Sequence, residues 1–230
     1  MSSYSILKPS KRRTKNQHMR YAVAIIAACV ATPLIVSPAQ AQFSDSYNFL
    51  KAVKKRDYAE AKKQLDKPGF NLNTKEYSTG DTALHISTRN RYLKWVNLLL
   101  KAGASPNVRN KEGQTPLMLA VQNRLYDGAR LLIAKKANVD ETNNRGETAL
   151  INAVHFDDIT MVRLLLKVGA SPDKADTLAG LSARDYAKRD RRKAEILIAI
   201  EKSDAAKKAK KGTKPQEKID FSGPLFKPTK

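Results

Sequence analysis

Few side chains in this chain could do covalent or metal chemistry. There are three histidines, His18, His85 and His155, and one cysteine, Cys29. A structural zinc site needs about four ligands, and these residues are scattered. His155 lies beside Asp157 and Asp158, a spacing that brings an imidazole and two carboxylates together. A third kind of group, a nucleophile or a further ligand, is missing there, so the plain reading is a solvated polar turn. No Gly-rich phosphate loop, G-x-S-x-G or H-E-x-x-H pattern occurs. Neither catalysis, a metal nor a cofactor is expected. Binding remains, and it depends on how the chain displays its side chains.

The chain has 230 residues, 41% of them hydrophobic and 28% charged. This is ordinary globular composition and excludes a wholly disordered chain or a multi-pass membrane protein. Charge is less ordinary. Forty-three Lys and Arg face 22 Asp and Glu, a net +21.

Residues 1–20 hold six of the basic residues and no acid. An apolar stretch runs from Tyr21 to Val36, and Ala39-Gln40-Ala41 follows it. A positive flank, a short apolar core and small residues at the exit describe a secretory signal peptide, here 1–41 with cleavage after Ala41. The alternatives are an uncleaved membrane anchor and a lipidated Cys29 in Ile26-Ala27-Ala28-Cys29. Arg12-Arg13 lacks the apolar residues of a twin-arginine signal, which favours general secretion. The mature chain would carry +15 and no cysteine, suiting an oxidising compartment. A periplasmic, bacterial setting is the expectation.

The rest repeats itself. Gly80-Asp81-Thr82-Ala83-Leu84-His85 recurs as Gly113-Gln114-Thr115-Pro116-Leu117-Met118 and as Gly146-Glu147-Thr148-Ala149-Leu150-Ile151, with a degenerate copy from Gly180 to Asp185. The glycine steps are 33, 33 and 34 residues. Leu98-Leu99-Leu100-Lys101-Ala102-Gly103-Ala104-Ser105 matches Leu164 through Ser171, with Leu131 through Asn138 between them. This resembles the ankyrin repeat, in both its period and its T-P-L-H-x-A signature. The resemblance implies an all-α solenoid of stacked helix-turn-helix units with projecting hairpin loops. It also implies protein binding through a concave face and the loop tips.

The residues make physical sense independently of the resemblance. Thr82, Thr115 and Thr148 stand where a helix needs an N-cap hydroxyl, and Pro116 suits the first helical position. Leu84, Leu117 and Leu150 open a buried stripe, and Ala120 and Ala153 allow close helix approach. Gly103 and Gly169 end the second helices in a left-handed turn, while Asn110 and Asn143 favour a turn at the loop. Lys136 stands where the second complete repeat lacks its glycine, so that turn is expected to differ. Pro106 and Pro172 replace apolar loop residues, and Ser87 replaces a small Ala.

The expected organisation is a capping repeat at 42–76, ankyrin repeats at 77–109, 110–142 and 143–176, a C-terminal cap at 177–202 and a basic low-complexity tail at 203–230. The last helix is expected from Ala194 to Ile200, apolar all round, with a solvated stretch from Ala205. Ile219, Phe221, Leu225 and Phe226 lie further on. Folding back onto the last helix, docking to a partner and simple disorder are the open readings of this tail.

Repeat phase places Tyr77, Ser78, Asp81, Arg109, Lys111, Glu112, Gln114, Asn144, Arg145 and Glu147 on the loops. Arg89, Asn90, Gln122, Asn123, His155 and Phe156 fall at exposed first-helix positions. Tyr77 and Phe156 stand out, since exposed aromatics often anchor interfaces. His85 is expected to be structural and Trp95 to pack. The expected partner is a protein, and the chain itself is expected to be monomeric. Two basic clusters, around Lys51–Lys63 and Arg184–Lys193, support an alternative: binding an anionic envelope component or membrane surface. Export and the lack of base-stacking motifs argue against nucleic acid.

Overall fold

The structure, a computed structural model, describes residues 38–212, with side chains from 45 to 209. The expected leader therefore lies outside the described residues except for its end, and Ala41 falls in the first turn of helix α1. The apolar part of the tail, beyond 212, also lies outside them. Residues before Asp45 separate from the rest as a unit of their own, and the array occupies the second unit.

The described residues form ten α-helices: α1 (Pro38–Lys55), α2 (Tyr58–Leu65), α3 (Ala83–Arg89), α4 (Leu93–Lys101), α5 (Pro116–Gln122), α6 (Tyr126–Ala134), α7 (Ala149–His155), α8 (Ile159–Lys167), α9 (Ala183–Arg189) and α10 (Ala194–Gly212), with a 3-10 turn at Arg191–Lys193 before α10. Starts at Ala83, Pro116, Ala149 and Ala183 keep the glycine spacing. No strand occurs among the described residues; isolated bridges join Thr142 to Thr148 and Ala175 to Ser182. The fold is an all-α repeat solenoid.

Each first helix starts the same way. The hydroxyls of Thr82, Thr115 and Thr148 accept from the backbone N–H three residues on, at 3.4, 3.4 and 3.2 Å. Ser182 does the same for Asp185 at 3.2 Å and completes a reciprocal capping box. Each such cap is worth about 1 kcal/mol.

The first helices α3, α5, α7 and α9 stack in series, each also packing against its own second helix. Leu84, Leu117 and Leu150 are buried at that stack, and Ala120 and Ala153 are fully covered. Ser87 is buried too, its hydroxyl donating to the Ala83 carbonyl at 2.7 Å. In the second helices, Leu99, Leu100, Leu132, Leu165 and Leu166 carry the core. Trp95 is buried and stacks on Tyr58 of α2, with ring centroids 4.3 Å apart. Phe49 of α1 meets Phe70, which follows α2, edge-on at 4.9 Å.

Two sequence expectations are corrected. Lys136 takes the left-handed conformation, with φ +63°. The turn closes as its neighbours do: Ala137 N–H donates to Leu132 at 3.0 Å, matching Ala104 to Leu99 and Ala170 to Leu165. The hydrogen bond, worth about 1 kcal/mol, offsets part of the left-handed penalty of about 1–2 kcal/mol.

The second correction concerns α10, which passes Ile200 and ends at Gly212. Its extension is rich in Ala and Lys, both strong helix formers. It is also tied down: Arg184 bonds Asp204 at 2.6 Å, and Lys207 reaches the Ala170 carbonyl at 3.4 Å. Ala205 and Ala206 are exposed as expected, but helical.

Candidate partner-binding surface

Between helix pairs the chain makes a tight hairpin. Four hairpins close alike, Glu76 to Asp81 at 2.8 Å and Asn110 to Gln114, Asn143 to Glu147 and Asp176 to Leu181 at 3.0 Å each, backbone N–H to carbonyl. A side chain organises each of the last three. The Asn110 carbonyl oxygen accepts from Glu112 and Gln114 N–H, and that of Asn143 from Arg145 and Glu147. Asp176 accepts from Leu178, Ala179 and Gly180. Burial alone would raise the Asp176 pKa, but these bonds and one from the Tyr186 hydroxyl at 2.5 Å hold it below the usual carboxylate range. The same bond pushes the Tyr186 phenol up to about 12.

The hairpins are joined in line by main-chain bonds: Lys111 N–H to Thr79, Asn144 to Glu112 and Thr177 to Arg145, at 3.0, 3.1 and 2.9 Å. Gly113 sits at such a joint with φ +74°, and a Cβ there would meet the Asn144 side-chain oxygen and its backbone nitrogen. His85 makes a second link. Its Nδ1 accepts from Thr82 N–H at 3.2 Å, so Nε2–H donates to the Gln114 carbonyl at 3.0 Å. Burial lowers its pKa and keeps it neutral. The residue is structural, as expected.

This architecture sorts the candidate residues. Asp81 and Gln114, expected at the exposed loops, are buried at 3% and 6%. Asp81 accepts from Arg89 and Asn110 at 2.8 and 2.9 Å, and Gln114 lies against Gln122 at 3.4 Å. Turn closure draws both inward, so they position the loops. Arg109 and Asn144 brace adjacent tips: the guanidinium donates to Gly113 and Asn144, and the Asn144 amide to Lys111. Gln122 is half-buried.

Others are displayed. Tyr77 is 95% exposed, with the Lys111 ammonium 5.1 Å above its ring. Arg145 projects while pairing with Glu147 at 2.8 Å. Phe156 is 43% exposed and ends α7. His155 is exposed but leans on Tyr186, rings 4.4 Å apart. Its neighbour Asp158 is buried and occupied, capping α8 at Met161 N–H and accepting from Tyr126 at 3.0 and 2.9 Å. The His155–Asp157–Asp158 cluster is therefore a helix junction. Among the described residues, no group of three or more His, Cys, Asp or Glu gathers to hold a metal.

One exposed residue escaped the sequence reading. Leu178 is 80% exposed and stands one repeat after Arg145, in the same register. The signal was the phase itself, overlooked because 177 onward read as a cap. At the other end of the row, Lys54, Arg89, Asn90, Lys111 and Glu112 border a cleft of about 500 Å³.

The fold and this surface define a helix-pair repeat scaffold. A scan against protein-family models matches "Ankyrin repeats (3 copies)" over residues 49–143 and 103–176. The chain belongs to the ankyrin repeat family, whose members are in general non-catalytic protein-interaction modules. A search of curated proteins finds no match.

Proposed function

We propose that this chain is a non-catalytic adaptor or helper that binds another exported protein through its hairpin tips and the exposed ends of its first helices. Tyr77, Arg89, Lys111, Arg145, His155, Phe156 and Leu178 form the reading surface. The observation that carries this proposal is that Tyr77 and Leu178 are large, almost fully exposed and make no contribution to the core. The basic, apolar and small-residue pattern of residues 1–41 supports export to a periplasm through a cleaved signal.

The basic clusters support the polyanion reading less well. Lys54 pairs with Glu76, Arg184 with Asp173 and Asp204, and Arg192 and Lys193 with Asp190. Arg56 lies over the Tyr92 ring at 4.9 Å. Such cations have less charge to offer a second partner.

The test is affinity capture from an envelope extract, washed at low and then high salt. The wild-type chain is compared with Tyr77→Ser/Leu178→Ser and with Arg130→Ser, which changes an exposed residue of α6 outside this surface. A protein held through high salt by the wild type and by Arg130→Ser, and lost with the double variant, supports the proposal. Capture that disappears on the salt wash points to polyanion binding.

A further inference from the structure

The C-terminal end of the array has an open groove of about 920 Å³ between α8 and α10. Leu166, Val168, Ile198 and Ala199 form its apolar floor. Val168 is 39% and Ile198 62% exposed. An end unit of a solenoid normally turns a polar face to water, and here Val168 and Ile198 interrupt that face. The rim is basic, with Arg163, Lys167, Lys202 and Lys207. Arg163 is engaged by Glu195 at 2.7 Å. Lys167 and Lys202 make no ion pair among the described residues.

We propose that the chain's own segment 219–226 occupies this groove. That segment holds Ile219, Phe221, Leu225 and Phe226, with Asp220 among them. The apolar residues match the floor, and Asp220 supplies the charge that Lys167 and Lys202 lack.

Chain length permits it. From Ser203 to the helix end at Gly212 is about 14 Å at 1.5 Å per residue. The six residues 213–218 span up to about 20 Å, enough to turn back and set Ile219 beside Ser203. Gly212 and Pro215 are the residue types that stop a helix and allow that reversal. From Ser203 to Glu195, the far end of the groove, is about 12 Å along α10. The eight residues 219–226, extended, cover about 26 Å. The occupant is therefore long enough for the whole groove.

Trypsin cleavage after Lys218, at the edge of the seated segment, tests this in the full chain. Proteolysis of a segment in fast equilibrium reads the population of its open form. The wild type should be cut at least about ten-fold more slowly than Phe221→Ser/Phe226→Ser, a difference of about 1.4 kcal/mol. Ile198→Glu, a change at an exposed site, should speed cleavage similarly while the array's thermal unfolding stays put. The double tail variant leaves the array's own residues untouched, so a misfolded Ile198→Glu protein would not block the test. Equal rates in wild type and tail variant would overturn the proposal and leave the groove to another partner. Protection that rises with protein concentration would also overturn it, assigning the groove to a second copy.

Discussion

Replacing Gly113 with Ala should hurt far more than the same change at Gly180. Both glycines are left-handed, with φ +74° and +65°. An L side chain there costs about 1–2 kcal/mol. Reduced freedom of the unfolded chain returns about 0.4–1 kcal/mol. This shared part nets about 1 kcal/mol and is all that Gly180→Ala should lose, because nothing lies within 4 Å of its Cβ position. At Gly113 the new methyl meets Asn144 N and Arg109 Nη2, both 2.7 Å away. The backbone must move, adding overpacking of about 1–3 kcal/mol. It also disturbs the 3.1 Å bond from Asn144 N–H to Glu112, worth about 1 kcal/mol. The total is about 3–5 kcal/mol, a gap of about 2–4 kcal/mol between the variants. Urea unfolding monitored by helical circular dichroism, at unchanged slope, measures it. Losses equal within about 0.5 kcal/mol would refute the claim that the tip joint is sterically closed.

Lys136→Gly should stabilise by about 0.5–1 kcal/mol, since it relieves a left-handed side chain while the Lys136 carbonyl still accepts from Asn107; a drop in denaturation midpoint would contradict this. Thr148→Ala should lose about 1–2 kcal/mol by removing a buried cap, readable in the same assay. Stability should also fall as the solution is acidified below about pH 6.5, by up to about 1.4 kcal/mol per pH unit for one proton. The sign follows from His85: its folded pKa is lowered by burial, so the unfolded chain takes the proton first. The stabilisation is full above the unfolded value and lost as pH falls toward the folded one. His155 is shifted the same way by partial burial. His85→Gln should flatten part of this slope, and an unchanged slope would show that His85 is not its source.

The array was legible because its signals are local and repeated. The threonine caps, the glycine steps and the leucine stripes each report a backbone requirement, so α3 to α8 could be placed from residue types alone. The long α10 was not, because an Ala- and Lys-rich stretch reads equally as helix or solvated tail. The decision came from Arg184, Asp204 and Ala170, distant contacts that composition does not record. Phase marked the loops correctly but not which loop residues face inward. Asp81 and Gln114 are drawn in by hydrogen bonds to Arg89, Asn110 and Gln122, contacts made eight or more residues away that no single loop motif records. Leu178 shows the reverse: the register was present, and only the degenerate motif around it hid its position.

The joints between successive tips are built from backbone N–H groups and carbonyl oxygens, which every amino acid but proline carries. The glycines and the Asn or Asp of the last three turns are fixed by geometry, but Leu178 is held by its own backbone, and Tyr77, Lys111 and Arg145 add only an exposed ring contact and an exposed ion pair to theirs. Rewriting those positions changes the message without touching the page it is printed on. A library randomised at these sites should therefore retain its melting temperature across most members, and new binding specificities could be selected from it without rebuilding the scaffold.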